Sequence, residues 1–93
     1  MLTVEILIRK LVWWEQDPKR VPTEYLLRRV MELGTWEMVV FARETFGEEA
    51  MKKAFLNAQP GDFSPRSWTY WHLMFDIKPE RPMPKRKFLE EAT

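Results

Sequence analysis

The single histidine is where chemistry would have to begin. His72 is the only imidazole in the chain, and Asp76 follows four residues later, a spacing that puts both on one face of a helix. Such a pair is only part of a metal site. The remaining ligands would have to come from elsewhere, and no cysteine is present to supply a thiolate. Nucleophilic catalysis meets the same shortage, because a triad would have to be built around His72 and no spacing directs Ser64 or Ser67 to it. Ser64 stands before Pro65 as a helix cap does. The carboxylate pairs Glu48-Glu49 and Glu90-Glu91 are adjacent, so on a helix they diverge, and they read as dipole complements or solvated surface. No glycine-rich phosphate loop occurs. The expectation is a protein that is not an enzyme, with no catalytic residue, no metal and no cofactor.

Binding is the alternative to chemistry, and two residue sets suggest it. The first is aromatic. Trp13 and Trp14 on a helix would point about 100° apart, so both cannot easily enter one core, and one is expected at the surface. Exposed Trp is enriched in interface hot spots. Phe88 and Leu89 lie among charges near the C-terminus, as in a segment that folds against a partner. With Tyr70, these make Trp13, Trp14, Tyr70, Phe88 and Leu89 the candidate partner-binding residues. The second set is polar. Arg66, Ser67, Thr69 and Tyr70 stand near the start of a helix, where a DNA-reading helix presents side chains to bases. Lys85, Arg86 and Lys87 are then available for phosphates. Against this, 15 basic and 14 acidic residues give a net charge of only +1. Self-association is a third possibility.

Five helices are needed to position these residues. The first is expected from about Thr3, its cap, to Trp14, before Asp17-Pro18 breaks the chain. The second is expected over Thr23–Leu33, with Arg28, Arg29 and Glu32 on its wet side and Gly34 as a left-handed stop. The third follows the cap Thr35 and runs to Phe46, with Trp36, Val39, Val40, Arg43 and Phe46 at helical spacing and Gly47 as its stop. The fourth is expected from Glu48 to about Ala58, with Met51, Ala54, Phe55 and Ala58 as its apolar stripe. The fifth should span Pro65 to about Phe75. Trp68, Trp71, His72 and Phe75 form one of its faces; Tyr70, Leu73, Met74 and Ile77 form another. It is therefore either central in the core or covered by a partner. Pro79, Pro82 and Pro84 exclude a regular helix in the stretch that follows. The fold class is thus all-α: a bundle of about five short helices over residues 1–77, with an extended or mobile, proline-rich basic tail over 78–93.

Ninety-three residues make one domain, and five Trp, six Phe and two Tyr supply its core. The absence of cysteine suits a reducing cytoplasm. Asn and Gln are scarce (Gln16, Asn57 and Gln59), a bias found in thermophilic proteins, although six Met run against it. Glu5, Arg9 and Lys10 interrupt the apolar N-terminus, so neither a secretory signal nor a membrane span is expected.

Four segments taken together carry a resemblance: LVWWEQDPKRVP, YLLRRVMELGTWEMVVFARETFG, EEAMKKAF and SPRSWTYWHLMFDI. An aromatic pair precedes an Asp-Pro turn, a helix ends in Gly, Thr-Trp opens the next, and Ser-Pro opens a Trp-rich helix. Over about Ile6 to Ile77 the chain resembles a family of small prokaryotic proteins often encoded beside AbiEii-type nucleotidyltransferase toxins and treated as candidate antitoxins. The resemblance implies a small protein that binds a cognate toxin and, as a further possibility, its own operator. It implies no catalytic residues. The segment after Lys78 matches the family least.

Overall fold

The computed structural model describes residues 1–84. They form five α-helices and no strand: α1 (Val4–Leu11), α2 (Thr23–Leu33), α3 (Trp36–Phe46), α4 (Glu48–Leu56) and α5 (Pro65–Met74), with a 3-10 turn at Pro18–Arg20. The hydroxyls expected to cap three of the helices do so. Thr3 Oγ1 accepts from the Ile6 N–H at 3.2 Å, Thr35 Oγ1 from Met38 at 3.3 Å, and Ser64 Oγ from Ser67 at 3.3 Å. Each contact satisfies one of the donors that a helix start leaves without a partner.

Helix ends depart from expectation in three places. α1 stops at Leu11, so Trp13 and Trp14 lie in the turn beyond it and not on the helix. A residue of α2 contributes to this ending: Arg29 Nε donates to the Leu11 carbonyl at 3.1 Å. Gly34 is not left-handed; its φ is −73°. It is required for space, because a Cβ there would lie 2.6 Å from the Val30 carbonyl oxygen and 3.3 Å from Met38 Cβ. The left-handed stop belongs instead to Asp76, φ 54°, after α5. There Ile77 N–H donates to His72 O at 2.9 Å and Asp76 N–H to Leu73 O at 3.2 Å, the pair of bonds that closes a Schellman motif. Gly47 behaves as expected of a stop, with φ 93°. Its N–H closes α3 on Arg43 O, and its carbonyl accepts from Met51 N in the first turn of α4.

α2 is the hub of the bundle, packing on α1, α3 and α4, and α3 also packs on α4. α5 joins them chiefly through aromatic side chains. Phe55 of α4, fully buried, has Trp68, His72 and Phe75 around it with ring centroids at 5.0, 4.9 and 5.7 Å; Phe63 from the preceding loop lies at 5.2 Å. Trp71 Nε1 donates to the Met31 carbonyl at 3.1 Å, satisfying an acceptor in the last turn of α2. The opposite side of α5 is open: Tyr70 and Met74 are half-exposed and Leu73 is 71% exposed. α5 is therefore a one-sided helix, not a central one.

Arg28, expected on the wet side of α2, is only 8% exposed. The reason lies far away in sequence. Its NH1 donates to the Ala54 carbonyl of α4 at 3.3 Å, and its Nε sits 2.8 Å from Asp62 Oδ2 in the loop before α5. The Nε–H misses the carboxylate axis, so that contact is ionic and not a directed hydrogen bond. The same Asp62 oxygen accepts from Gln59 N at 2.7 Å. A charge this buried is tolerated because it is paired.

Residues 78–84 contain no helix and are tied to the bundle by Arg81. Its backbone carbonyl accepts from Trp68 Nε1 at 2.6 Å. Its guanidinium donates to the Leu56 and Phe55 carbonyls at 3.2 and 3.4 Å, capping α4, and lies over the Trp68 and Phe55 rings.

Candidate functional site

His72, Asp76 and Ser64, first considered for chemistry, all have structural partners. His72 is 3% exposed, and both its ring nitrogens are engaged. Nδ1 lies 2.7 Å from the Trp68 carbonyl, which can only accept, so Nδ1 carries the proton. Nε2 then accepts from Arg81 N at 3.2 Å and from Arg81 Nε at 3.3 Å. Neither nitrogen is left for a metal. Asp76 is exposed and pairs with Lys78 at 3.5 Å. Among the described residues no three His, Asp or Glu side chains converge as metal ligands. Ser64 receives Glu32 as a neighbour, with its N–H donating to Oε2 at 3.0 Å, and its Oγ caps α5. Burial lowers the pKa of the Arg81 guanidinium from its usual value.

The aromatic pair occupies a different setting. Trp13 is 73% exposed and Trp14 half-exposed. The two indoles meet edge to face with centroids 5.5 Å apart. Trp14 is itself held from α2: Arg29 lies over its ring at 5.0 Å, and Tyr25 meets it edge-on at 6.5 Å. Both Trp residues are therefore at the surface, where only one was expected.

The candidates on α5 share one exposed stripe. Arg66, Thr69, Tyr70 and Leu73 are exposed at helical spacing, polar at the start of the helix and apolar toward its end. Ser67 is half-buried and turned away from that stripe. Residues 57–64 connect α4 to α5, a longer link than the three or four residues of a helix-turn-helix. Phe88, Leu89, Lys85, Arg86 and Lys87 lie outside the described residues.

Another exposed feature is one that helical spacing had pointed inward. Trp36, at the first position of α3, is 60% exposed, because α3 buries Met38 and Ala42 together with the expected Val39. Trp36 forms one lip of a shallow cleft and Met74 of α5 another, over a floor of Val39, Met51, Trp71 and Phe75. Arg43 and Glu48 complete the rim. The enclosed space is about 20 Å³, room for one water. A wider, open depression of about 510 Å³ lies along α1 beside Ile6, Arg9 and Lys10, and its polar groups are exposed. No helix among the described residues is long and apolar enough to cross a membrane. No family model matches the chain, and neither a curated protein nor a solved structure matches it.

Proposed function

We propose that this domain acts by binding another protein, through the Trp13–Trp14 corner and the exposed face of α5 around Tyr70, and carries out no chemistry itself. One observation carries the reading: Trp13 stands 73% exposed yet meets, edge to face, an indole that α2 holds in place. An aromatic anchor already ordered at the surface loses little freedom on docking. The resemblance over Ile6 to Ile77 names the partner class, a cognate nucleotidyltransferase-like toxin in the cytoplasm. The test is co-purification of the chain with the product of the neighbouring gene, which this reading requires to be nucleotidyltransferase-like, followed by titration of Trp13→Ala and Tyr70→Ala variants. Affinity should fall about tenfold or more for Trp13→Ala with no change in melting temperature. Unchanged affinity in both variants overturns the surface, and the lack of any complex overturns the partner.

A second reading, a DNA-binding regulator using residues 65–75, is supported by the exposure of Arg66 and Thr69 at the start of α5. The length of the 57–64 connection weighs against it. Binding to the upstream DNA of its own gene, measured across a salt series, decides it: affinity that does not fall as salt rises sinks the reading.

A further inference from the structure

We propose that the cleft between α3, α4 and α5 is a self-association face, occupied in solution by the same cleft of a second copy. This goes beyond binding to a different protein: it centres on Trp36, Arg43, Glu48 and Met74 and shares only the α5 edge, Tyr70 and Leu73, with that surface. The face is both apolar and self-complementary. Trp36 and Met74 rise on two sides of the cleft, so a two-fold axis through it lays each indole on the other copy's methionine. The rim also carries one charge of each sign, Arg43 and Glu48, and neither belongs to any ion pair among the described residues. The same rotation brings Arg43 of one copy within reach of Glu48 of the other, twice per dimer. An unrelated partner would have to supply both charges in the right places; a second copy supplies them by symmetry.

The area sets the strength. Trp36, Tyr70, Leu73 and Met74 leave on the order of 400 Å² uncovered, about the largest apolar patch of an ordinary monomer. With the cleft rim this approaches the roughly 600 Å² per partner at the low end of specific interfaces. The dimer should therefore be reversible, with dissociation in the micromolar range.

Charge reversal in the full chain tests this directly. In Arg43→Glu two acids oppose two acids across the axis, and in Glu48→Arg two bases oppose two bases. Each variant alone should dissociate about tenfold more readily than the unaltered chain in sedimentation. Mixed in equal amounts, they should form a heterodimer of about the original affinity, since every facing pair is then of opposite sign. That recovery would also show that both variants are folded. Trp36→Ser should give a monomer with an unchanged melting temperature. A chain that stays monomeric at millimolar concentration overturns the proposal. So do single variants that dimerise like the parent, or a mixture that does not.

Discussion

Arg81 reaches His72 twice: its backbone N–H and its Nε both donate to the same imidazole nitrogen, at 3.2 and 3.3 Å. The imidazole therefore works as an acceptor that fastens residues 78–84 to α5. The guanidinium extends past it to the end of α4. One side chain thus caps the end of α4, bonds to an imidazole of α5 and lies over two rings.

Arg81→Ala should cost about 2 kcal/mol, the sum of lost carbonyl partners and ring stacking. Arg81→Lys should recover less than half, because an ammonium cannot offer the forked donors and the flat face together. Chemical denaturation of the three proteins checks this, and equal stability of the Lys and Arg forms would contradict it.

Arg28 and Asp62 form the one ion pair with both side chains largely buried among the described residues. Asp62→Ala leaves the buried Arg28 with only the longer, half-exposed ionic contact to Glu24 at 3.8 Å and should cost about 2 kcal/mol. Arg28→Met with Asp62→Leu removes both charges and should cost less than the sum of the two single changes. A double-mutant cycle on unfolding free energies measures the coupling.

Asp76 holds a left-handed φ without being glycine. Asp76→Gly should raise stability by about 0.5 kcal/mol, and Asp76→Val should lower it by about 1 kcal/mol or more, since a branched Cβ fits that conformation worst. The exposed ion pair with Lys78 adds little to this balance. Thermal melts of the two variants should move in opposite directions.

Trp13 and Trp14 should separate stability from binding. Trp13→Ala should leave the melting temperature unchanged, because the ring covers only its neighbour. Trp14→Ala should lower stability by about 1 kcal/mol through loss of the Arg29 and Tyr25 contacts. Differential scanning calorimetry distinguishes the two.

How much of this was legible in the sequence depended on distance along the chain. Thr3, Thr35 and Ser64 act on residues three positions away, so their caps could be read directly. Of the stripe Met51, Ala54, Phe55 and Ala58, the first three follow the local helical period and are buried as expected, and Ala58 falls past the end of α4, half-buried. Misplaced residues owe their positions to remote partners. Arg28 is buried because Asp62 and the Ala54 carbonyl meet it, and one of the last carbonyls of α1 is taken by Arg29. Gly34 looked like a conformational stop and is instead a gap that Val30 and Met38 require. Arg81 lies within 78–93, which reads as a basic tail, and nothing nearby in sequence announces His72 as its partner.

The three walls of the cleft differ in how freely they can shift. A single residue, Gly47, separates α3 from α4, which makes those two helices a fixed elbow. α5 hangs from residues 57–64 and is secured by side chains, Trp71 on Met31 and the rings around Phe55. It is the door leaf, and the elbow is the frame. Any change in the width of the cleft falls on α5, so its amides should exchange with solvent before those of α3 and α4. A substitution at Phe55 would then reset the opening from behind, without touching the rim.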